Sequence, residues 1–138
     1  MKYFSIGELL YSDTALEKKI NNLKTTPEIE DNLRALIENV LEPARVRLGV
    51  PIIVTSGYRC PALNSAVGGV ANSQHTKGQA ADLVCTNAAD KRRLFAILSE
   101  MDVDQLLYEK NKKGTTWVHV SYAGTKNRHD IRDNYLAL

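Results

Sequence analysis

Apolar residues recur first at helical and then at strand spacing along this chain, and the change falls at Gly49. Before it, Ile29, Leu33, Leu36, Ile37, Val40, Leu41 and Ala44 form one stripe of a helix predicted from about Pro27 to Leu48. Thr26 stands at the N-cap position, Pro27 suits the first helical position, and Glu28 and Glu30 favour the positive end of the helix. Pro43 is expected to kink the last turns and Gly49 to stop them. Upstream, Phe4, Ile6, Leu9 and Leu10 predict a short helix capped by Ser5. Thr14 to Ile20 has weaker helical character and leads into a loop through Asn21 and Asn22.

After Gly49, β-branched residues from Ile52 to Thr55 predict a buried strand that ends in a glycine-containing turn, SGYR. Cys60 to Gln74 is rich in small and turn-forming residues and is expected to be an irregular loop; loops of that length inside compact domains are usually functional. Ala80 to Cys85 predicts a second strand. Asn87, with Asp90 three residues later, caps a helix running to about Met101, whose core face is Leu94, Phe95, Ile97 and Leu98. Gln105 to Glu109 and Thr116 to Tyr122 read as two strands of a hairpin joined by the basic turn KNKKGT, and the tail from Ala123 is polar until Tyr135 and Leu136. These elements predict an α+β fold, a single domain over residues 1–138 with a small, mostly antiparallel sheet flanked by helices.

Composition narrows the function classes. A chain of 138 residues with 43% hydrophobic and 25% charged residues can bury a core of its own, which argues against disorder. The formal net charge of +2 is small and its charges are scattered, so no nucleic-acid partner is expected. No apolar run approaches membrane-spanning length, so no membrane insertion is expected either. Ser5, Gly7 and Glu8 interrupt the apolar residues at the N-terminus, which predicts synthesis in the cytoplasm without a signal peptide. Cys60 and Cys85 form neither a CxxC motif nor a disulfide framework and read as reduced structural thiols. Oligomeric state is left open.

Chemistry concentrates in Ser73 to Asp82, SQHTKGQAAD, where His75 and Asp82 flank Gly78. The glycine lets the backbone turn so that both side chains can converge. His119 lies in the apolar segment WVHVSY, and strand alternation points it away from Val118 and Val120, toward solvent or a cleft. Two histidines and a carboxylate plus one water would make an open, catalytic zinc site. On spacing alone, an ordinary surface or N-cap pair at His75 and Asp82, with a hydrogen-bonded core His119, is the competing reading. His129, in NRHD, reads as solvated.

The segment SGYRCPALNSAVGGVANSQHTKGQAADL, followed by WVHVSY, resembles the zinc D-alanyl-D-alanine peptidases of the carboxypeptidase and endolysin type, which share their fold with the hedgehog signalling domain. The shared features are Ser-Gly-Tyr-Arg, then Asn, Gly-Gly, an S-x-H-x-x-G-x-A-x-D signature and a final W-x-H, within a motif-bearing core of about residues 50–122. The resemblance implies that His75, Asp82 and His119 hold one zinc ion per chain, which would acidify a water for attack on an amide carbonyl. It makes Arg59 the group that stabilises the developing oxyanion, with a structural ion pair as the alternative. The implied substrate is a peptidoglycan stem or cross-link peptide, cut by a carboxypeptidase or an endopeptidase. The implied place of action is the cell wall, after phage-type release, or cytoplasmic wall fragments.

One departure from the family pattern stands out. The residues just before His119, GTTW, contain no acid to serve as general base, whereas the better-known relatives carry one there. Glu109, at the end of QLLYE, would return beside His119 in a hairpin and is the expected base, with Asp104 as the alternative. Ser73 is expected to hydrogen-bond a ligand or substrate carboxylate, Gln74 and Tyr58 to line the cleft, and Trp117 to serve mainly the core. The missing acid also leaves open a zinc-containing binding or structural domain without turnover, and composition alone would allow a metal-free interaction domain.

Overall fold

The computed structural model describes residues 1–136. Two short helices, α1 (Ile6–Leu10) and α2 (Asp13–Glu17), lead into α3 (Pro27–Leu36), which continues through a π-helical turn at Ile37–Leu41 into α4 (Glu42–Leu48). Strands β1 (Ile53–Ser56) and β2 (Ala80–Val84) bracket helix α5 (Pro61–Ala66) and a 3-10 turn at Gln74–Lys77. Helix α6 (Ala88–Ser99) precedes β3 (Gln105–Lys110), β4 (Thr116–Ser121) and β5 (Asp130–Leu136). The five strands form one sheet in the order β1-β2-β4-β3-β5, antiparallel except for the β3–β5 pair.

The caps behave as the side chains dictate. Thr26 accepts from the Ile29 N–H, Ser5 from Glu8 and Asn87 from Asp90, each satisfying a donor that a helix start leaves free. Gly49 ends α4 in the left-handed region at φ 78°. Pro43 acts through the π turn just before it. Proline has no N–H for the Asn39 carbonyl and its ring crowds that oxygen, and the wider turn relieves both problems.

The helical stripe covers one face of the sheet. Leu33, Leu36, Ile37, Val40 and Leu41 are fully buried and pack in one core with Leu83, Leu94, Leu98, Leu106, Val118 and Val120. Burying each such side chain is worth about 1.5–3 kcal/mol, and Leu36→Ala is expected to cost about 2–5 kcal/mol. With the helices on one face, the opposite face of β1–β4 is free to carry polar residues.

Two expectations change. The Cys60–Gln74 segment is not wholly irregular, because Pro61 opens helix α5. The polar tail contains strand β5, added parallel to β3 at the sheet edge, with Gln105 opposite Asp130 and Leu106 opposite Ile131. Only one side of an edge strand meets the ladder, so polar alternation such as that in DIRDN is tolerated there.

Candidate metal centre and cleft

Directly opposed residues on neighbouring strands share a face. The register therefore sets Ser56, Asp82, His119 and Leu107 side by side across four strands, with Glu109 opposite Trp117 one step along. Val118 and Val120 point the other way, into the core, so His119 faces the cleft.

His75 reaches the same point from the 3-10 turn. Ser73 caps that turn, its Oγ accepting from the His75 N–H at 3.2 Å, and Gly78 closes it at φ 74°, where a Cβ would lie 2.7 Å from the Ile29 carbonyl oxygen. His75 Nδ1 donates to the Gly57 carbonyl at 2.7 Å. Gly57 is itself pressed against α1, where a Cβ would sit 2.3 Å from the Leu9 carbonyl oxygen.

With Nδ1 committed to that carbonyl, neutral His75 presents only a lone pair at Nε2, and this atom faces Asp82 Oδ1 at 3.4 Å. Two acceptors that close together are an arrangement a cation resolves. His119 Nδ1 lies 2.9 Å from the same Asp82 oxygen, and one donor atom from each of the three residues lies within 4.8 Å of the others. His75 and His119 are buried and Asp82 is nearly so. The donor set, two imidazole nitrogens and a carboxylate oxygen, suits zinc, and the Gly57 carbonyl is the kind of outer partner that orients a ligating histidine. Burial alone would raise the Asp82 carboxyl, but the imidazoles of His75 and His119 beside it outweigh that and hold the group well below the usual carboxylate range.

Arg59 borders this cluster. Its Nε donates to Ser56 Oγ at 3.2 Å and its Nη1 to Asn64 Oδ1 at 3.0 Å, while Nη2 lies 3.8 Å from Asp82 Oδ2. Burial pushes the Arg59 guanidinium down, with the charges of Asp82 and Glu109 opposing. Asn64 is buried and also donates to the Val70 carbonyl at 2.8 Å, which fixes the loop behind the arginine.

Glu109 Oε1 lies 3.8 Å from His119 Nδ1. Burial pushes its carboxyl up, and the Asp82 charge adds to that, against the pull of His119 and Arg59. The neighbouring Trp117 Nε1 is buried without a partner in hydrogen-bond geometry, although its dipole still favours the ionised Glu109 at longer range. Asp104 is placed differently. It accepts four hydrogen bonds, from Gln74 Nε2 at 3.0 Å and from the Arg128 backbone N–H, Nε and Nη2 at 2.9, 3.0 and 2.9 Å. Arg128 thereby holds the Asp104 carboxyl below its ordinary value, which leaves it little basicity for proton transfer.

The cluster opens into a cleft of about 440 Å³, lined in part by Ser73, Gln74 and Arg128. It joins a groove of about 710 Å³ through Arg59, Gly69, Glu109 and Trp117, which line both. Tyr58 is buried and lines the groove rather than the metal cleft. Cys60 and Cys85 are half-buried, unpaired and outside the metal cluster, and His129 is exposed.

Two contributors escape sequence reasoning. Asn22 is buried, donates to the Leu10 and Tyr58 carbonyls at 2.9 Å each and accepts from the Cys60 N–H at 2.7 Å, clamping the turn that carries Arg59. Nothing in a polar, lysine-bearing stretch marks it. Arg128 stands in a charged segment that reads as ordinary surface, and only its pairing with Asp104 sets it apart.

A buried cluster of two imidazoles and a carboxylate, with a second carboxylate and a guanidinium beside it, is the kind of centre found in metal-dependent hydrolases. The family model described as peptidase M15 matches residues 2–121, and the chain belongs to that family of zinc D-alanyl-D-alanine carboxypeptidase type. It is by family a metallopeptidase with a peptide substrate, and the family is zinc-dependent. No curated protein matches the sequence. Among the described residues, no helix is long and apolar enough to cross a membrane.

Proposed function

We propose that the protein hydrolyses an amide bond in the peptide part of peptidoglycan, using one zinc ion held by His75, Asp82 and His119. The observation that carries this reading is the convergence of those three donor atoms within 4.8 Å, beside Glu109 and Arg59 in one cleft. When bound, zinc supplies a Lewis acid that acidifies water and polarises the scissile carbonyl.

The chain's own residues divide the remaining work. Glu109, pushed up by burial, is the group that takes a proton from the attacking water and returns it to the leaving amine nitrogen. Arg59 donates to the carbonyl oxygen as charge grows on it, an interaction that strengthens toward the transition state. Ser56 and Asn64 hold the guanidinium in place beforehand, so little reorganisation is needed during the reaction. Ser73 keeps the His75 turn closed, its Oγ accepting from the His75 N–H.

Incubation of the zinc-loaded protein with purified cell wall, followed by mass analysis of the released fragments, tests the reading and names the bond. Release that stops on chelation and returns with zinc is the expected result. Turnover that survives complete metal removal would overturn the mechanism. Full zinc loading without cleavage of wall or stem peptides would instead favour a zinc-containing binding domain.

A further inference from the structure

The cleft has two unlike ends. Gln105, Leu107 and Glu109 follow one another along β3 on the face that carries His119, a span of roughly 14 Å at about 3.4 Å per residue. At the Glu109 end the cleft runs on into the larger groove, which has room for an extended peptide. At the Gln105 end the connection from β4 to β5 passes beside the start of β3, where the His129 and Asp130 N–H groups donate to the Val103 and Asp104 carbonyls, and Arg128 lines the cleft just ahead of Asp130, the partner of Gln105.

Arg128 is fixed along one edge. Its Nε and Nη2 donate to Asp104, whose side chain is only 4% exposed, and its backbone N–H adds a third bond to the same carboxylate. Nη1 has no partner among the described residues, and the Arg128 side chain remains 60% exposed. The other nearby carboxylate, Asp130, is turned to Arg132 and Gln105, at 3.0 Å each. Gln74, next to His75, donates to Asp104 as well, so one carboxylate ties the guanidinium to the turn that carries a metal-binding histidine. A surface arginine normally loses side-chain freedom on binding a ligand, and here much of that freedom is already gone. The free edge of a planar guanidinium matches a carboxylate in shape and charge.

Resting on the peptidase reading above, we infer that Arg128, held by Asp104, is the specificity residue that binds the free terminal carboxylate of the peptide whose scissile amide lies at the metal centre. The closed end then takes a short C-terminal segment on the leaving side, and the open groove takes the rest of the chain. This residue lies beyond the stretch matched by the family, 2–121.

The test compares kcat/KM of the zinc-loaded full chain on one stem peptide prepared as the free acid and as the C-terminal amide. The wild type is expected to prefer the acid by about 10- to 100-fold, the range of a charge-assisted hydrogen bond. Arg128→Gln should bring the ratio close to unity, mainly by slowing the acid, and Arg128→Lys should keep part of it. Because Arg128→Gln leaves a buried carboxylate unpaired, the double variant Asp104→Asn with Arg128→Gln provides a folded control, and it should show the same loss of preference. Equal rates on acid and amide in the wild type, or a full preference kept by Arg128→Gln, would overturn the inference. Should the wild type cut neither peptide, the peptidase reading fails by itself. Calorimetric binding then decides on Arg128: tighter binding of the acid that Arg128→Gln abolishes supports it, and equal or absent binding overturns it.

Discussion

Asp82 and His119 stand directly opposite each other on β2 and β4, with Asp82 Oδ1 2.9 Å from His119 Nδ1. The ladder's hydrogen bonds fix the separation of their Cα atoms, so this pair is held by the sheet and not by a loop. His75 arrives from a turn, and its bond to the Gly57 carbonyl makes up for that looser attachment.

Zinc should therefore stabilise the fold as well as the chemistry. At free zinc about 1,000-fold above the dissociation constant, ligation adds about 4 kcal/mol to unfolding stability. Thermal melts with and without a chelator should show a higher Tm for the zinc form, and His75→Ala or Asp82→Ala should remove both the shift and the bound metal by elemental analysis.

Glu109→Gln keeps the shape of the side chain but removes its ability to take a proton. Metal content should stay at one zinc per chain, while kcat on a stem peptide falls by about 10²- to 10⁴-fold. Wild-type turnover in this variant would remove Glu109 from the mechanism.

Asn22 holds three backbone groups of the α1 end and the SGYR turn. Asn22→Ala leaves buried donors and acceptors without partners and should cost about 1–3 kcal/mol in urea unfolding. A loss well under that range would mean the turn is held mainly by the Gly57–Leu9 contact.

Asp104→Asn tests the Arg128 clamp through pH. The folded Asp104 carboxyl is held below its ordinary value, first by the hydrogen bonds from Arg128, so its stabilisation is present above the unfolded value of about 3.9. It is lost as pH falls through the lower folded value. The stability gap between wild type and Asp104→Asn should be constant at neutral and mildly acidic pH and should shrink only below about pH 3.9. A gap that closes near neutrality would contradict the clamp.

The local elements were legible because their causes are local. Thr26-Pro27, Asn87 with Asp90, and Gly49 cap or stop helices through their own atoms, and the 3.6-residue stripe from Ile29 to Ala44 marks the buried face directly. The alternation of Trp117, Val118, His119 and Val120 likewise fixed which way the histidine points relative to the valines. Strand β5 was not legible, because an edge strand shares only one ladder and needs no apolar pattern.

What the sequence by itself determined is the set of donors and their type: two histidines and an aspartate on or beside predicted strands, with a glycine placed to turn the chain between the first two. Only the tertiary structure decided which carboxylate joins them. Glu109 and Asp104 are both acids of the β3 region, and the hairpin pattern favoured Glu109 without excluding Asp104. The hairpin register sets Glu109 beside His119, largely buried and raised, whereas Arg128 and Gln74, distant in sequence, converge on Asp104 and hold it below its ordinary value. Protonation depends on burial and on neighbouring charge, and both are set by contacts between segments far apart along the chain.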